Sequence, residues 1–404
     1  MRFLTIRDFD YRGKRVLVRE DLNVPLEGGK IADETRLVAA LGTLKALREA
    51  GARTIVCSHL GRPDGKPDPK LSLRPIGDRL AELLGSPVAF VEESIGPQVR
   101  AASENLADGA FLLLENVRFH PEEERNDPQF AKELARCAER YVNDAFGTAH
   151  RAHASTEGVA HLLPAAAGLL MEAELAALAS LTEEPQHPYV CAIGGAKIAD
   201  KIGVFKHLMM KVDTFCIGGG MGNTFLAAKG VDVGKSLRDA DLAPAKEILA
   251  LAETRRVNVL LPGDAVVAKA LEDEAHAAEV ILVEPLGDRM ILDIGEATAG
   301  VYGETIRKAR TVVFNGPMGV YERAAYREGT RVVGEALVEA TRMGATTVVG
   351  GGDAAAAAKM LGFAHGVSHV STGGGATLEF LEGKTLPGIA ALEAAAAASA
   401  AQTS

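Results

Sequence analysis

Short apolar runs alternate with longer segments of helical periodicity along the first half of the chain. Strands are predicted where aliphatic and β-branched side chains cluster, at residues 15–19, 53–58, 111–115 and 141–143. A helix is predicted at residues 34–50, where Gly51 follows as a stop signal. This alternation is typical of βαβ units and therefore predicts a parallel sheet.

The same alternation begins again after a segment rich in alanine and leucine. Residues 171–181 have strong helix propensity, and the breaker-rich residues 184–188 follow them. Further strands are predicted at residues 189–193, 214–217, 257–261, 311–314, 346–349 and 368–370. Two sheets covered by helices fit this pattern better than one, so we expect an α/β chain with two lobes.

Length and composition agree with a two-lobed globular protein. The 404 residues exceed the size at which single cores stop growing, and 47% hydrophobic with 24% charged residues is ordinary for an α/β protein. The net charge of −10 argues against nucleic acid as a partner, because such proteins usually carry a basic face. Reduced core residues are predicted for the four widely separated cysteines, Cys57, Cys137, Cys191 and Cys216.

The start of the chain and the lack of a long apolar run lead us to expect a cytoplasmic protein with no membrane partner. Residues 1–8 lack the apolar centre of a signal peptide, and no run approaches ~20 strongly apolar residues.

The alanine-rich stretch from Ala390 onward predicts a helix, because alanine favours helix formation. Disorder is expected after that helix, because the stretch offers little apolar surface to bury.

Arginines lie at the ends of several predicted strands of the first half: Arg19 ends the first strand, and Arg62, Arg118 and Arg151 follow later ones. In an open parallel sheet, ligands bind beyond the carboxyl ends of the strands. Arg36 lies in the first turn of the predicted helix, where the helix dipole disfavours a cation and a bound anion would explain it. Because arginine presents a planar donor fork, these side chains predict a site for a small phosphorylated acid.

For each arginine taken singly, the alternative is an ordinary surface charge or ion-pair partner. Their repeated placement at strand ends favours a shared site instead. We expect Asp21 and Asn23 to bind a hydroxyl of the same ligand. His59, His150 and His153 either orient neighbours or act on the substrate, and their spacing suits no metal site.

Four glycine clusters mark the second half, at residues 194–195, 218–220, 350–352 and 373–375. Glycine turns between a strand and a helix let the backbone approach a phosphate and point helix amides at it. No G-x-x-x-x-G-K-[ST] motif is present, which excludes a P-loop kinase. Lys197 and Lys201, predicted to lie one helical turn apart, are expected to reach the phosphates.

Asp353 directly follows one glycine cluster and is a predicted Mg²⁺ ligand, because nucleotide-bound magnesium takes one or two protein carboxylates. A helix N-cap is the competing interpretation, and the two are compatible. Asn315 and Glu322 belong to a further strand-end region expected to position ribose or phosphate. A relaxed dinucleotide fingerprint at residues 350–355 is discounted, because no acid follows about 20 residues later.

Two other classes of protein remain open from these residues alone. A dehydrogenase with a nucleotide cofactor uses similar sheets, and binding of NADH but not ADP would favour it. A non-catalytic anion-binding protein would need the arginines but would leave Lys197, Lys201 and Asp353 without a purpose.

Taken together, the segments that carry these residues resemble the phosphoglycerate kinase family over essentially the whole chain. The resemblance rests on the order and separation of seven motifs, at residues 18–25, 58–63, 115–119, 147–153, 194–197, 314–317 and 371–375. It implies a monomer with two Rossmann-like, doubly wound parallel-sheet lobes joined by an interdomain helix.

The resemblance also implies how the chain is divided. A phosphoglycerate-binding lobe is expected at residues 1–170, to which the segment of about 388–404 returns. The interdomain helix and hinge are expected at 171–187, and a nucleotide-binding lobe at 188–387.

The activity implied is reversible phosphoryl transfer between 1,3-bisphosphoglycerate with ADP and 3-phosphoglycerate with ATP, assisted by Mg²⁺. The residues implied for phosphoglycerate are Asp21, Asn23, Arg36, His59, Arg62, Arg118 and Arg151. Those implied for the nucleotide are Gly194, Lys197, Lys201, Gly218, Gly219, Asn315, Glu322, Gly350, Gly351, Gly352 and Asp353, with Asp353 as the metal ligand.

No general base is expected, because the acceptor is a carboxylate that is already deprotonated at neutral pH. Arg36, Lys197 and the amides of Gly352 and Gly374 are expected to stabilise the transition state. Closure of the lobes, with a hinge flanking residues 171–184, is expected to align the reactants and exclude water.

Two positions depart from the family's pattern. Glu20 stands where the family usually has an apolar residue, and we expect it to alter only a surface or neighbouring ion pair. Ala354 stands where the family usually has serine or threonine. The missing hydroxyl is expected to weaken nucleotide binding without abolishing transfer.

Overall fold

The computed structural model describes residues 2–403 and divides them into two compact units. The first unit contains the described residues up to Leu175 together with those from Thr385 onward, and the second runs from Ala176 to Lys384. The division therefore falls inside one helix.

The first unit is built on a parallel sheet of six strands in the order β5-β6-β4-β1-β7-β8. Its strands, with the small antiparallel pair β2 and β3, are β1 (Arg15–Arg19), β2 (Leu26–Glu27), β3 (Lys30–Ile31), β4 (Arg53–Cys57), β5 (Val88–Val91), β6 (Phe111–Leu114), β7 (Arg140–Asn143) and β8 (Ala165–Ala167). Arg19 at the end of β1 pairs with Cys57 of β4 and Asn143 of β7. The carboxyl ends of the central strands therefore meet at one edge.

The helices of this unit cover the sheet because their apolar faces recur at helical spacing. They are α1 (Thr35–Glu49), α2 (Arg74–Leu84), α3 (Pro97–Glu104), α4 (Pro121–Glu124), α5 (Pro128–Ala135) and the first part of α6 (Leu169–Thr182). Leu37 and Leu44 of α1 share a buried cluster with Val16 and Val18 of β1. This packing fixes α1, and with it Arg36, beside the sheet edge.

The second unit contains another parallel six-stranded sheet, in the order β11-β10-β9-β15-β16-β17, and an antiparallel sheet, β13-β12-β14. The strands are β9 (Tyr189–Ile193), β10 (Thr214–Ile217), β11 (Asn258–Leu260), β12 (Asp264–Ala268), β13 (Ala278–Ile281), β14 (Met290–Ile294), β15 (Thr311–Asn315), β16 (Thr346–Val349) and β17 (His369–Val370). The helices are α7 (Ile202–Leu208), α8 (Gly219–Ala228), α9 (Ala243–Arg255), α10 (Glu296–Arg307), α11 (Glu328–Arg342), α12 (Gly352–Met360) and α13 (Gly375–Leu381). The predicted α/β fold with two parallel sheets is confirmed.

The last helix, α14 (Pro387–Thr403), belongs to the first unit. The N–H of Gly388 donates to the carbonyl oxygen of Ala149 at 2.9 Å. The alanine-rich stretch stays helical to Thr403, so the disorder expected after the helix is not found in the described part of the chain.

Two further expectations concern burial and membranes. Cys57, Cys137, Cys191 and Cys216 are all buried and free, which confirms them as reduced core residues. Among residues 2–403, no helix is long and apolar enough to cross a membrane.

Candidate active site

The carboxyl edge of the first sheet gathers polar side chains from three neighbouring strands and from α1. Asp21 and Asn23 follow β1, His59 follows β4, and Arg118 follows β6. Because these strands are adjacent and parallel, residues distant in sequence converge at one place.

Arg36 reaches back from the first turn of α1 to the segment after β1. Its Nη1 donates to Asp21 Oδ1 at 3.0 Å and to the carbonyl oxygen of Asn23 at 2.8 Å. The Asp21 carboxylate thus offsets the unfavourable position of a cation at a helix N-terminus. A bound anion is not needed to explain Arg36 in this structure.

Asn23 and Arg118 both hold the loop that follows β4. Asn23 Oδ1 accepts the N–H of Gly61 at 2.8 Å, and Arg118 Nη1 donates to the carbonyl oxygen of Gly61 at 2.9 Å. Arg118 is buried, which lowers its pKa to about 10, and its Nε lies 3.2 Å from Glu124 Oε1. Arg62 lies on the same loop with its side chain exposed.

His59 lies at the centre of the positive charge. Burial lowers its pKa well below the usual value, and the field of four arginines, Arg19, Arg118, Arg36 and Arg151, lowers it further. All four guanidinium groups therefore act on one imidazole, which stays neutral near pH 7. Arg151 is half-buried, and its Nε donates to His150 Nε2 at 3.2 Å.

The arginine cluster, formed by Arg19, Arg36, Arg118 and Arg151 around His59, carries more positive than negative charge. Asp21 and Glu124 pair with Arg36 and Arg118, and the buried Glu123 acts on Arg19 both by its charge and through the hydroxyl of Ser155. An excess of arginine at a sheet edge is suited to a small ligand with several negative charges.

The structure corrects the expectation for Glu20. Its side chain is fully buried rather than part of a surface ion pair. Burial and the nearby Asp144 raise its pKa well above the usual value. Neither carboxylate oxygen has a hydrogen-bond partner among the described residues. At the next strand end, Asp144 has a pKa raised to about 6 by burial.

In the second unit, glycines follow the central strands because backbone segments pass very close together. A Cβ atom on Gly194 would lie 1.9 Å from the carbonyl oxygen of Pro317. Gly219 has a φ of +63°, and a Cβ there would lie 2.8 Å from the carbonyl oxygen of Gly195. Only glycine fits these two positions.

The two predicted lysines have different surroundings. Lys201 Nζ donates to the carbonyl oxygens of Gly194 at 2.8 Å and Asn315 at 2.7 Å, so it ties the ends of β9 and β15 together. Burial lowers the pKa of Lys201 to about 8. Lys197 is exposed in an irregular segment before α7. The prediction of two lysines one helical turn apart is wrong, because α7 begins only at Ile202.

Three of the glycine clusters begin helices. Gly218, Gly351 and Gly374 precede the first residues of α8, α12 and α13. A Cβ atom added at Gly352 or Gly374 would meet nothing within 4 Å. The fourth cluster, Gly194 and Gly195, is instead followed by an irregular segment and a short 3-10 turn.

A cavity of about 390 Å³ lies beside these turns. Gly195, Gly219 and Gly220 form part of its wall, and apolar side chains such as Leu237 and Leu292 form another part. Asp353 and Glu322 are exposed carboxylates on its lining. Such a volume, with apolar walls and a few polar groups, is of the size that small-molecule sites have in proteins.

Two details bear on the residues predicted around this cavity. Asp353 is the second residue of α12 and Gly351 is the N-cap, so the interpretation of Asp353 as the N-cap is wrong. The buried Asn315 donates from Nδ2 to the carbonyl oxygen of Gly350 at 2.8 Å. Its side chain therefore links the ends of β15 and β16. Ala354 is fully buried in the core beneath α12.

Sequence reasoning missed two acidic residues near this site. Asp293 lines the cavity, its Oδ2 accepts the N–H of Gly329 at 2.7 Å, and burial raises its pKa to about 8. Asp239 Oδ2 accepts the N–H of Ile198 at 2.7 Å and so anchors the segment that carries Lys197. Asp293 lies on β14, a strand that was not predicted; the short apolar run at 290–294, which Asp293 interrupts, was its only signal.

Two parallel-sheet α/β units, one with an arginine cluster and one with glycine turns beside a cavity, define a phosphotransferase of small molecules. Comparison with known proteins specifies which one. The profile of the phosphoglycerate kinase family matches residues 6–384. The chain belongs to the phosphoglycerate kinase family.

Individual relatives agree over nearly their full lengths. Phosphoglycerate kinase of Chloroflexus aggregans is 54% identical over 394 residues, covering 96% of this chain and 98% of the relative. That of Moorella thermoacetica is 53% identical over 391 residues, with the same coverage.

Solved structures give the same result. Phosphoglycerate kinase from Coxiella burnetii aligns with a TM-score of 0.90 and 39% identity, over 98% of this chain and 100% of that one. The enzyme from Pyrococcus horikoshii aligns with a TM-score of 0.85 and 33% identity, over 97% and 99%. The family comprises kinases of glycolysis that transfer a phosphoryl group reversibly between 1,3-bisphosphoglycerate with ADP and 3-phosphoglycerate with ATP. Neither the dehydrogenase nor the non-catalytic alternative is supported.

Proposed function

We propose that this member of the phosphoglycerate kinase family passes the phosphoryl group directly from one bound substrate to the other, without a general base. The acceptor in the ATP-consuming direction is a carboxylate, which is already a nucleophile at neutral pH. What the protein must supply is alignment and neutralisation of charge. The observation that carries the proposal is the set of four arginines acting on the neutral His59.

The arginine cluster is proposed to hold the phosphoglycerate. The predicted binding residues are Asp21, Asn23, Arg36, His59, Arg62, Arg118 and Arg151. Arg36 Nη1 already bonds Asp21, so binding requires either its remaining N–H groups or a rearrangement of that ion pair. Arg62, exposed on its loop, is free to turn toward the ligand.

The cavity of the second unit is proposed to hold the nucleotide. Its apolar wall suits a purine base, and the helix N-terminal amides near Gly219, Gly352 and Gly374 suit phosphates. Gly194, Gly218, Gly350 and Gly351 shape these turns. Lys197 is exposed and long enough to follow a phosphate, whereas Lys201 is placed to fix the turns themselves.

We propose Mg²⁺ as the metal that accompanies the nucleotide. Asp353 fits a magnesium site, because it is one exposed carboxylate on the cavity and such an ion takes its other ligands from phosphates and water. When bound, Mg²⁺ neutralises negative charge on the phosphates. Glu322 and Asn315 are proposed to act on the nucleotide beside it.

Arg36, Lys197 and the amides of Gly352 and Gly374 are proposed to stabilise the transferring group. In-line transfer needs reacting atoms about 3–3.5 Å apart, so we propose that closure of the two units about a hinge near α6 accompanies catalysis. We also propose that the enzyme works as a monomer in the cytoplasm, where the intermediates of glycolysis occur.

A coupled assay with 3-phosphoglycerate, ATP and Mg²⁺ tests the proposed function. We expect ADP to form only when all three are present, and Asp353→Asn to raise the Mg²⁺ concentration needed for half-maximal rate. Lys359→Gln, a change near the other end of α12, is the control. ADP formation at the full rate without 3-phosphoglycerate would contradict the proposal.

A further inference from the structure

Arg19 is fully buried at the end of β1, and each arm of its guanidinium has a separate partner. Nε donates to Ser155 Oγ at 2.8 Å, and Nη1 donates to the carbonyl oxygen of Glu20. Nη2 lies 3.2 Å from His59 Nδ1. The side chain is thus held from three directions.

Ser155 is oriented in turn by a buried carboxylate. Its Oγ lies 2.5 Å from Glu123 Oε1 and donates to it, and its backbone N–H donates to Glu123 Oε2 at 2.9 Å. A hydroxyl has one proton, so Ser155 Oγ can only accept from Arg19. The direction of every hydrogen bond from Glu123 to Arg19 is therefore determined.

The contact with His59 is determined for the same reason. A guanidinium has donors and no acceptor, so His59 Nδ1 must accept the hydrogen bond from Arg19. A neutral imidazole that accepts at Nδ1 carries its single proton on Nε2. Only Nε2–H is then available as a donor to a ligand.

We propose that Arg19, held by Ser155 and Glu123, is a positioning residue that keeps His59 in its neutral form with the proton on Nε2, ready to donate to an oxygen of the acid substrate. This inference rests on the proposed role of His59 in binding phosphoglycerate. Ser155 and Glu123 act on the substrate only through Arg19 and His59.

Nuclear magnetic resonance of the ¹⁵N-histidine-labelled enzyme tests the protonation pattern directly. The His59 signals, identified by their loss in His59→Gln, are expected to show a pyridine-like Nδ1 and a pyrrole-like Nε2 between pH 6 and 8. A pyrrole-like Nδ1, or two equal averaged shifts, would overturn the proposal. The wild-type measurement needs no variant that folds poorly, because ligand-induced shifts also identify His59.

Steady-state kinetics of Ser155→Ala test whether Ser155 acts on the substrate through Arg19 and His59. We expect the KM for 3-phosphoglycerate to rise about five-fold, the value for one lost hydrogen bond, with kcat and the KM for ATP nearly unchanged. Ser155→Thr keeps the hydroxyl and should restore the KM. Ser103→Ala is the matched control, because Ser103 is equally buried and its hydroxyl donates to the carbonyl oxygen of Arg100 on α3, away from the arginine cluster.

A double variant separates positioning from a general structural effect. Glutamine at position 59 reproduces the Nε2–H donor but has no Nδ1, so Ser155→Ala should have no further effect on the KM in His59→Gln. The same five-fold rise in that background would overturn the proposal. If His59→Ala leaves the KM for 3-phosphoglycerate unchanged, the proposed binding role fails instead, and the protonation pattern still decides the inference.

Discussion

Glu20 is the residue whose surroundings differ most from expectation. A buried carboxyl without hydrogen-bond partners costs free energy in either protonation state, since it must be protonated or remain charged away from water. Neither oxygen of Glu20 bonds a described group of the site, so the arrangement described above does not depend on this carboxylate. Its presence is therefore expected to lower stability rather than activity.

We predict that Glu20→Met raises the free energy of unfolding by about 1–3 kcal/mol at pH 7, because methionine fills a similar volume without a polar group. The unfolding free energy of Glu20→Gln, which removes the charge but stays polar, should lie between those of the wild type and Glu20→Met. Urea unfolding followed by circular dichroism measures this. A methionine variant less stable than wild type would show that Glu20 has a partner after all.

The same residue predicts a dependence of stability on pH. The pKa values of Glu20 and Asp144 are raised in the folded state, so the folded form holds protons that the unfolded form releases above about pH 4. The stability that these bound protons contribute is complete below about pH 4. It is lost as the pH rises through the folded-state pKa of Asp144, about 6, and then through the higher pKa of Glu20. The slope of unfolding free energy against pH, measured from 4 to 8, should be shallower in Glu20→Met. Equal slopes would disprove the assignment.

Arg36 has the clearest expected effect on rate. Arg36→Ala should lower kcat by about 10²–10³-fold and weaken phosphoglycerate binding far less, because the lost contact is strongest in the transition state. Steady-state kinetics together with calorimetric binding separate the two effects. Arg53→Ala is the control, since Arg53 begins β4 at the opposite end of the sheet and pairs with the exposed Asp108. An unchanged kcat in Arg36→Ala would refute its role.

At the scale of elements, the central parallel strands could be predicted closely, whereas β5 and β8 at the two edges of the first sheet were missed. Residues 15–19 and 189–193 were predicted as strands and are β1 and β9, since short, largely apolar runs are typical of strands buried on both faces. The antiparallel sheet was missed: β13 is largely exposed and lacks such a run, and the short runs of β12 and β14 each include an aspartate. The lysine geometry was also missed, since a local irregular segment before α7 cannot be inferred from spacing alone.

The glycine turns allow a matched test at this scale. Gly194→Ala should destabilise the second unit by about 1–3 kcal/mol and weaken ADP binding, because its Cβ would overlap the carbonyl oxygen of Pro317. Gly352→Ala should leave stability within about 0.5 kcal/mol, because it begins α12 with open space around it. Thermal unfolding with and without ADP measures both. Equal losses in the two variants would contradict the difference in packing.

At the scale of the whole molecule, the two units are proposed to bind different substrates, and the residues around their sites differ accordingly. The first unit concentrates arginines around His59, and the second presents glycine turns beside a cavity. The placement of these residues at strand ends could be predicted from sequence. Their hydrogen bonds could not, because the pairing of Arg36 with Asp21 or of Lys201 with two carbonyl groups depends on tertiary distances.

Direct transfer between two bound substrates is the central claim, and stereochemistry at phosphorus tests it most directly. ATP made chiral at the γ-phosphorus with three oxygen isotopes would be turned over with 3-phosphoglycerate, and the configuration of the phosphoryl group in the product determined. A single in-line step predicts inversion. Retention would show that the phosphoryl group is first attached to the protein, and would contradict this account.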